Sequence, residues 1–438
     1  MARPEPLSGF ELAKAMLASP RLSAALTTTI LGTTVFAFAL HRLLGWAGFI
    51  AILSALVVLA VLSLASQWRE IGWSGLLPIS LLGFLGWAGA SFFWSAYHWA
   101  SLGGLAYLGV FSVFGIYVAL ARDTIQIVRA FGDVLRFALA LSLAIEIFSG
   151  LLIDTPIRFL GVTGQISALG PVTGLMNTTD QLGIVSVIAL ITFGTELRTK
   201  SISRGLGVGS LILGGICLVL SRAPLAFGAM LVVAGAAAVL YGIRRTSDTS
   251  RRFWQLGVLA LVATLAILAW AFRSTIVTTF NATGALTYRL NVWQGVWALT
   301  QSRSLQGWGW VGAWPAADFP FSTFTTDSGH FAGSALNTYL DVWFQLGLVG
   351  FAIFVVFLGL ALTRSWLLAS RRRSVVFAWP TLVLVALVIS GLAESSLLVE
   401  FGWLSLVVCS VKASRELSWR RALESLASRT DVTDVTEP

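Results

Sequence analysis

Apolar residues in this chain come in long runs rather than in strict alternation. Runs of about 15 to 21 residues cover 22–40, 44–64, 76–94, 102–121, 137–153, 181–197, 206–220, 225–243, 254–272, 342–362, 375–392 and 397–411. Most are long enough, as α-helices, to cross a hydrocarbon core of roughly 30 Å. Lipid offers no partners to backbone polar groups, so a spanning segment must satisfy its own. The pattern predicts an all-α, polytopic membrane protein of about twelve transmembrane helices. The seventh run is short and glycine-rich, and the twelfth is short and carries Glu400. The longest interval that is not simply apolar follows the ninth run. It predicts a large external loop, about 273–341, between spans nine and ten.

Composition agrees with this class. Charged residues make up 11% of the chain and hydrophobic residues 57%, against roughly 25% charged in soluble proteins. The 438 residues therefore do not predict a string of soluble domains. Cys217 and Cys409 both lie inside apolar runs and read as packing residues, with no disulfide expected. The net charge of +9 acquires meaning once it is placed. Of the 29 basic residues only Arg42, Arg158, Arg222, Arg273, Arg289 and Arg303 fall on the side opposite the termini. By the positive-inside rule both termini are cytoplasmic. The basic surplus is then a topology signal with an attraction to anionic lipid, and no nucleic-acid partner is expected. The first run lacks a small-residue cleavage site, so a removed signal peptide is not expected. Residues 1–412 form one transmembrane domain in this reading, and 413–438 a cytoplasmic tail. In that tail a short amphipathic helix is expected at 415–427, with 430–438 disordered.

The polar residues that need a reason concentrate in 288–350. Arg289, Trp293 and Trp297 share one face of a predicted helix. Gly307-Trp308-Gly309 marks a turn, and Asn337-Thr338-Tyr339-Leu340 leads into Gln345-Leu346-Gly347-Leu348-Val349-Gly350. Arg222 sits in Ser221-Arg222-Ala223-Pro224, between the seventh and eighth runs. A snorkelling helix-end arginine is the ordinary account of Arg222, and interfacial anchoring that of the tryptophans. Together, two arginines on the outer face suit a lipid-linked diphosphate, because the guanidinium fork matches phosphate oxygens and stays charged. Glu146 lies inside the fifth run, where a carboxylate is a functional or a hydrogen-bonded structural group. His41 and His98, in short external turns, are expected to face lipid headgroups.

These pieces, in this order around one external loop, resemble the O-antigen ligase and polymerase superfamily of bacterial cell-envelope glycosyltransferases, and within it the exopolysaccharide polymerases. The resemblance implies transfer of glycan from an undecaprenyl diphosphate carrier on the outer face of the bacterial cytoplasmic (inner) membrane. The partners would be a lipid-linked oligosaccharide donor, a glycan acceptor and membrane lipid, with a chain-length regulator as a further partner protein. Arg222 and Arg289 match the family's arginines and would hold the diphosphate, stabilising the charge that grows as the glycosidic bond breaks. Trp293, Asn337, Tyr339 and Glu394 would line the substrate site. Diphosphate is a good leaving group, so no metal or other cofactor is implied, and attack from the opposite face would invert the anomeric carbon. Family members carry a histidine immediately before the asparagine of the Asn-x-Tyr-Leu piece; here that position is Leu336. His330, six residues earlier, could serve as the base, with Asp327, Asp341, Glu394 and Glu400 as alternative carboxylates. Asp341 could otherwise simply cap its helix. A different class, a multispan transporter or flippase of lipid-linked sugars, would predict broken helices and paired polar groups near the bilayer midplane.

Overall fold

The computed structural model describes residues 9–68, 78–168, 170–245, 257, 283–324, 331–372 and 374–416. The described residues form helices α1 (Gly9–Leu17), α2 (Pro20–Val35), α3 (Ala37–Ser66), α4 (Ile79–Ala90), α5 (His98–Ala121), α6 (Thr124–Ile147) and α7 (Thr179–Thr199). They continue with α8 (Arg204–Ser221), α9 (Pro224–Arg245), α10 (Thr283–Ser302), α11 (Thr338–Arg371), α12 (Ala378–Ser390) and α13 (Glu400–Glu416). Extended pairing among them is limited to one bridge, Ile157 with Val162. Apart from Gly257, the ninth run, 254–272, lies outside the described residues, as do His330, Asp327, Arg273 and the tail beyond Glu416.

Seven described helices are long and apolar enough to cross a membrane: α3, α5, α6 extended through Ile153, α7, α8, α9 and α11. The runs 22–40, 76–94, 375–392 and 397–411 fall on the shorter helices α2, α4, α12 and α13. Several ends differ from the apolar pattern, each for a local reason. Helix α6 starts well before residue 137 because Asp123 and Gln126 form a capping box, with the Asp123 N–H donating to Gln126 Oε1 at 3.2 Å. Its basic residues therefore lie on the helix, and Arg136 pairs with Glu196 of α7 at 2.6 Å. The first run breaks at Phe36, and α3 is itself interrupted at Gly45 (φ 71°, ψ 173°).

Helix α11 carries a similar break at Gly347 (φ 68°, ψ −174°), a backbone region open essentially to glycine alone. The groups freed by the break are taken up by loop backbone. The N–H groups of Trp308 and Gly309 donate to the carbonyls of Phe344 (3.1 Å) and Gln345 (2.8 Å), and the Leu348 N–H donates to the Ser304 carbonyl (2.8 Å). Trp87 Nε1 donates to the Leu346 carbonyl at 3.0 Å. A Cβ on Gly307 would lie 2.5 Å from the Gln345 carbonyl, so this contact requires glycine. The sequence's Gly-Trp-Gly turn is thus the strip of loop that seals a broken helix.

The least convincing run in sequence terms proves the most enclosed. Helix α13 is buried from Trp403 to Ala413 and packs against α2, α5, α11 and α12. Its polar groups face protein rather than lipid. Trp403 Nε1 donates to Ser112 Oγ at 2.8 Å, and the Tyr107 hydroxyl donates to Glu400 at 2.7 Å. Helix α7 is likewise central, against α6, α8, α9 and α12. Glu146, fully buried in α6, accepts from the N–H groups of Gly164 (2.9 Å), Thr173 (3.1 Å) and Gly174 (3.0 Å). That carboxylate gathers the segment between α6 and α7 onto the end of the bundle, which is the structural role weighed for it above.

Candidate functional site

The site begins at the first turn of α7. Thr178 caps the helix, its Oγ1 accepting from the Gln181 N–H at 3.1 Å. Asp180 follows in the first turn, where the positive end of the helix dipole favours a carboxylate. Helix α10 presents Arg289 to it, and the turn after α12 presents Glu394. One guanidinium nitrogen of Arg289, Nη2, lies 2.7 Å from Asp180 Oδ2 and 2.7 Å from Glu394 Oε1. The three side chains are only 17%, 19% and 18% exposed, so water screens the cluster weakly. Burial pushes the Glu394 carboxyl up to about 8; Arg289 pulls it down, and the neighbouring Asp180 carboxylate adds to the rise.

Arg222 belongs to the same end of the bundle. It ends α8 in the left-handed region (φ 47°, ψ 28°) and is exposed. Its neighbours Ser221 and Ala223 pack against Gly183, one turn along α7 from Asp180; a Cβ there would sit 3.1 Å from each of their side chains. The Val172 N–H donates to the Leu220 carbonyl at 3.0 Å, fixing the loop gathered by Glu146 to the same corner. Arg222 and Arg289 therefore flank the start of α7. Among the described residues Arg289 has carboxylate partners and Arg222 has none.

Beside the cluster lies a cavity of about 350 Å³, whose wall includes His41, Trp46, Asn177, Gln181, Glu394 and Glu400. His41 and Trp46 face each other with ring centroids 4.2 Å apart. His41, expected to face lipid headgroups, thus also lines this cavity, four residues before the break at Gly45. Asn177 (φ 67°), Leu336 (φ 49°) and Glu400 (φ 45°) hold left-handed backbone without being glycine, a strain that collects at functional sites.

Residues from the Asn-x-Tyr-Leu piece are placed differently. Asn337 caps α11, its Oδ1 accepting from the N–H groups of Tyr339 (3.0 Å) and Leu340 (3.1 Å), while its Nδ2 donates to the Leu392 carbonyl at 2.9 Å. The Tyr339 hydroxyl donates to the Val388 carbonyl at 2.9 Å. Both therefore join α11 to α12 and the turn after it, and Thr338 between them donates from Oγ1 to the Glu394 carbonyl at 2.8 Å. Trp293 Nε1 donates to the Ala335 carbonyl at 3.0 Å, pinning α10 to the segment that precedes α11. Asp341 is not the helix cap, since Asn337 holds that place. It is buried, and accepts from Trp314 Nε1 (3.0 Å) and Gln345 Nε2 (2.8 Å). Gln345 Oε1 in turn accepts from the N–H groups of Val311 (2.8 Å) and Gly312 (3.0 Å). This chain of bonds carries the loop onto α11, and its sequence signal is Asp341 and Gln345 spaced four apart on one helix face.

Sequence reasoning missed Asp180 as a site residue, although an acid just after a Thr cap and before an apolar run marks a helix start. Among the described residues no three His, Cys, Asp or Glu side chains are grouped to hold a metal ion. With the geometry in hand, residues 209–355 match the family model described as O-antigen ligase, in support of that superfamily. The match contains Arg222, Arg289, Trp293, Asn337 and Tyr339, while Asp180 and Glu394 lie outside it. No curated protein matches the chain.

Proposed function

We propose, from its likeness to the O-antigen ligases, that this chain is a membrane glycosyltransferase that polymerises or ligates undecaprenyl-diphosphate-linked glycan units. It would act on the outer face of the bacterial cytoplasmic membrane. The observation that supports this most is the meeting of Arg289 with the start of α7, beside Arg222 and next to a cavity of mixed aromatic and carboxylate character. Arg222 and Arg289 hold the donor's diphosphate. The acceptor hydroxyl attacks the anomeric carbon, a carbon–oxygen bond to the acceptor forms, and the bond to phosphate breaks with its electron pair leaving on the carrier. The anomeric configuration inverts. The hydroxyl proton passes to a base, and the guanidinium groups offset the charge gained by the leaving diphosphate. His330 is the base assigned from the sequence. Among the described groups at the cavity, His41, Asp341, Glu394 and Glu400 are candidates for that role. Trp46 offers a ring face against which a sugar can pack.

Arg289→Ala is expected to lower product formation from purified lipid-linked repeats by on the order of a hundredfold or more. Wild-type output from correctly inserted protein would overturn the reading. His330→Gln and His41→Gln, assayed side by side, separate the two histidines: the one that carries the proton loses turnover with little change in donor binding.

The breaks in α3 and α11 are the feature that favours the alternative, a transporter of lipid-linked sugars. Their positions argue against it. Beyond Gly347 helix α11 still runs about 36 Å, and beyond Gly45 helix α3 runs about 31 Å, at 1.5 Å per residue. Each remainder spans a hydrocarbon core by itself, so the breaks fall near its edge rather than at the midplane. A deletion strain accumulating short repeats already outside the cytoplasm would support the enzyme. Repeats trapped on the inner face would support transport.

A further inference from the structure

Helices α7, α9 and α11 all start at the end of the bundle that holds Arg222 and Arg289. Their other ends enclose a second, larger cavity of about 850 Å³. Along α7 alone, Asp180 and Arg198 are separated by about 27 Å of helix axis, so the arginine rim of the second cavity is nearly a membrane thickness from the first site.

The second cavity has two contrasting parts. Its wall is apolar, with Leu190, Ile191, Met230, Val233 and Leu382. Its rim carries Arg198, Arg244, Arg371 and Arg372. Helix C-termini attract cations to their unpaired carbonyls, which would be the ordinary account of such arginines. Arg244 fits it: its Nε donates to the Ala369 carbonyl at 2.8 Å. Arg198 and Arg371 also lie in last turns, of α7 and α11, so the dipole favours them there, but it leaves their guanidinium groups available. The Arg198 guanidinium lies over the Tyr241 ring at 5.7 Å and that of Arg372 over Phe377 at 5.8 Å, and neither side chain bonds a backbone carbonyl among the described residues. Arg371 is exposed at the same rim. No described carboxylate pairs with any of the four, in a protein whose other clustered arginines, Arg136 and Arg289, each hold two.

We propose that this cavity is a binding site for an anionic phospholipid, with the phosphate among Arg198, Arg371 and Arg372 and the acyl chains along the wall of α7, α9 and α12. Charge complementarity selects an anion, and the apolar wall continuous with the rim selects a lipid over a free phosphate. Basic pockets between membrane helices hold lipid headgroups in this way. The volume is at the upper end of ordinary ligand pockets, enough for a glycerophosphate head and the first part of two chains.

The test uses the full chain, delipidated in detergent, with native mass spectrometry and thermal melting as readouts. Phosphatidylglycerol is expected to be retained and to raise the melting temperature, and phosphatidylethanolamine to do neither. The variant Arg198→Gln/Arg371→Gln/Arg372→Gln should retain phosphatidylglycerol at least tenfold less, and the matching lysine variant should recover most of the loss. Should the glutamine variant fail to fold, the wild-type comparison of the two lipids and inorganic phosphate decides alone. Equal retention of both lipids, or equal stabilisation by inorganic phosphate, would overturn the proposal, as would undiminished retention by the folded glutamine variant.

Discussion

Glu394 shares one guanidinium with Asp180, yet burial decides its charge state near neutral pH. Burial raises its carboxyl from 4.5 to about 8, so the folded state favours the protonated form. The stability this contributes is complete below about 4.5, shrinks as pH rises and is gone above about 8. The thermal midpoint of the purified protein should accordingly fall between about pH 5 and pH 8, and Glu394→Gln, which cannot titrate, should flatten that fall. An equally steep profile in the variant would assign the titration elsewhere. The same residue shows how far the sequence could be read. Arg289 stood out as an external arginine beside tryptophans, and Glu394 as a polar spot at a helix end. Their contact did not, because Arg289 is separated from Asp180 by 109 positions and from Glu394 by 105. Nothing in hydropathy encodes such a pairing. His41's place on the cavity wall was not readable either, because its turn looks like an ordinary lipid-edge connection in the sequence.

Apolar runs located the helices but not their caps: Thr178 and Asn337 cap α7 and α11, where the sequence had offered only Asp341. Helices were not legible where glycine breaks a helix without interrupting the apolar pattern. The sequence shows α11 as one greasy run from residue 342, yet the helix is kinked at Gly347 and borrows hydrogen bonds from the loop at Trp308 and Gly309. Gly347→Ala should therefore destabilise the protein by about 1–3 kcal/mol, since its Cβ would meet the Leu305 carbonyl oxygen and the Gln306 nitrogen. The measurement is the thermal midpoint in detergent, with Gly359→Ala, at an open position of the same helix, as the neutral comparison. Equal midpoints would show that the loop yields easily. Helix α13 teaches the converse lesson. Its polar residues weakened it as a membrane segment, but they meet Tyr107 and Ser112 inside the bundle. A helix sheathed by other helices need not be lipid-soluble.

At the scale of the molecule, the bundle has two chemically distinct ends joined by α7, α9 and α11. The proposed orientation puts Arg289 outside the cytoplasm and both termini within it, from the bias of Lys and Arg. A phosphatase fused after Ser302 should be active, and a fluorescent protein fused to the C-terminus should fluoresce. The opposite pair of results would invert the assignment and take the arginines away from the periplasmic carrier. The occupied state of Arg289 has one last consequence for a cyclic reaction. Asp180 acts as a built-in counter-anion at one nitrogen of the guanidinium, with Glu394 on the same nitrogen, so an incoming headgroup of the proposed donor competes with them for it. The net attraction is the difference between two similar contacts. Under the proposed function, an arginine seated this way would release a spent carrier about as readily as it accepts a loaded one.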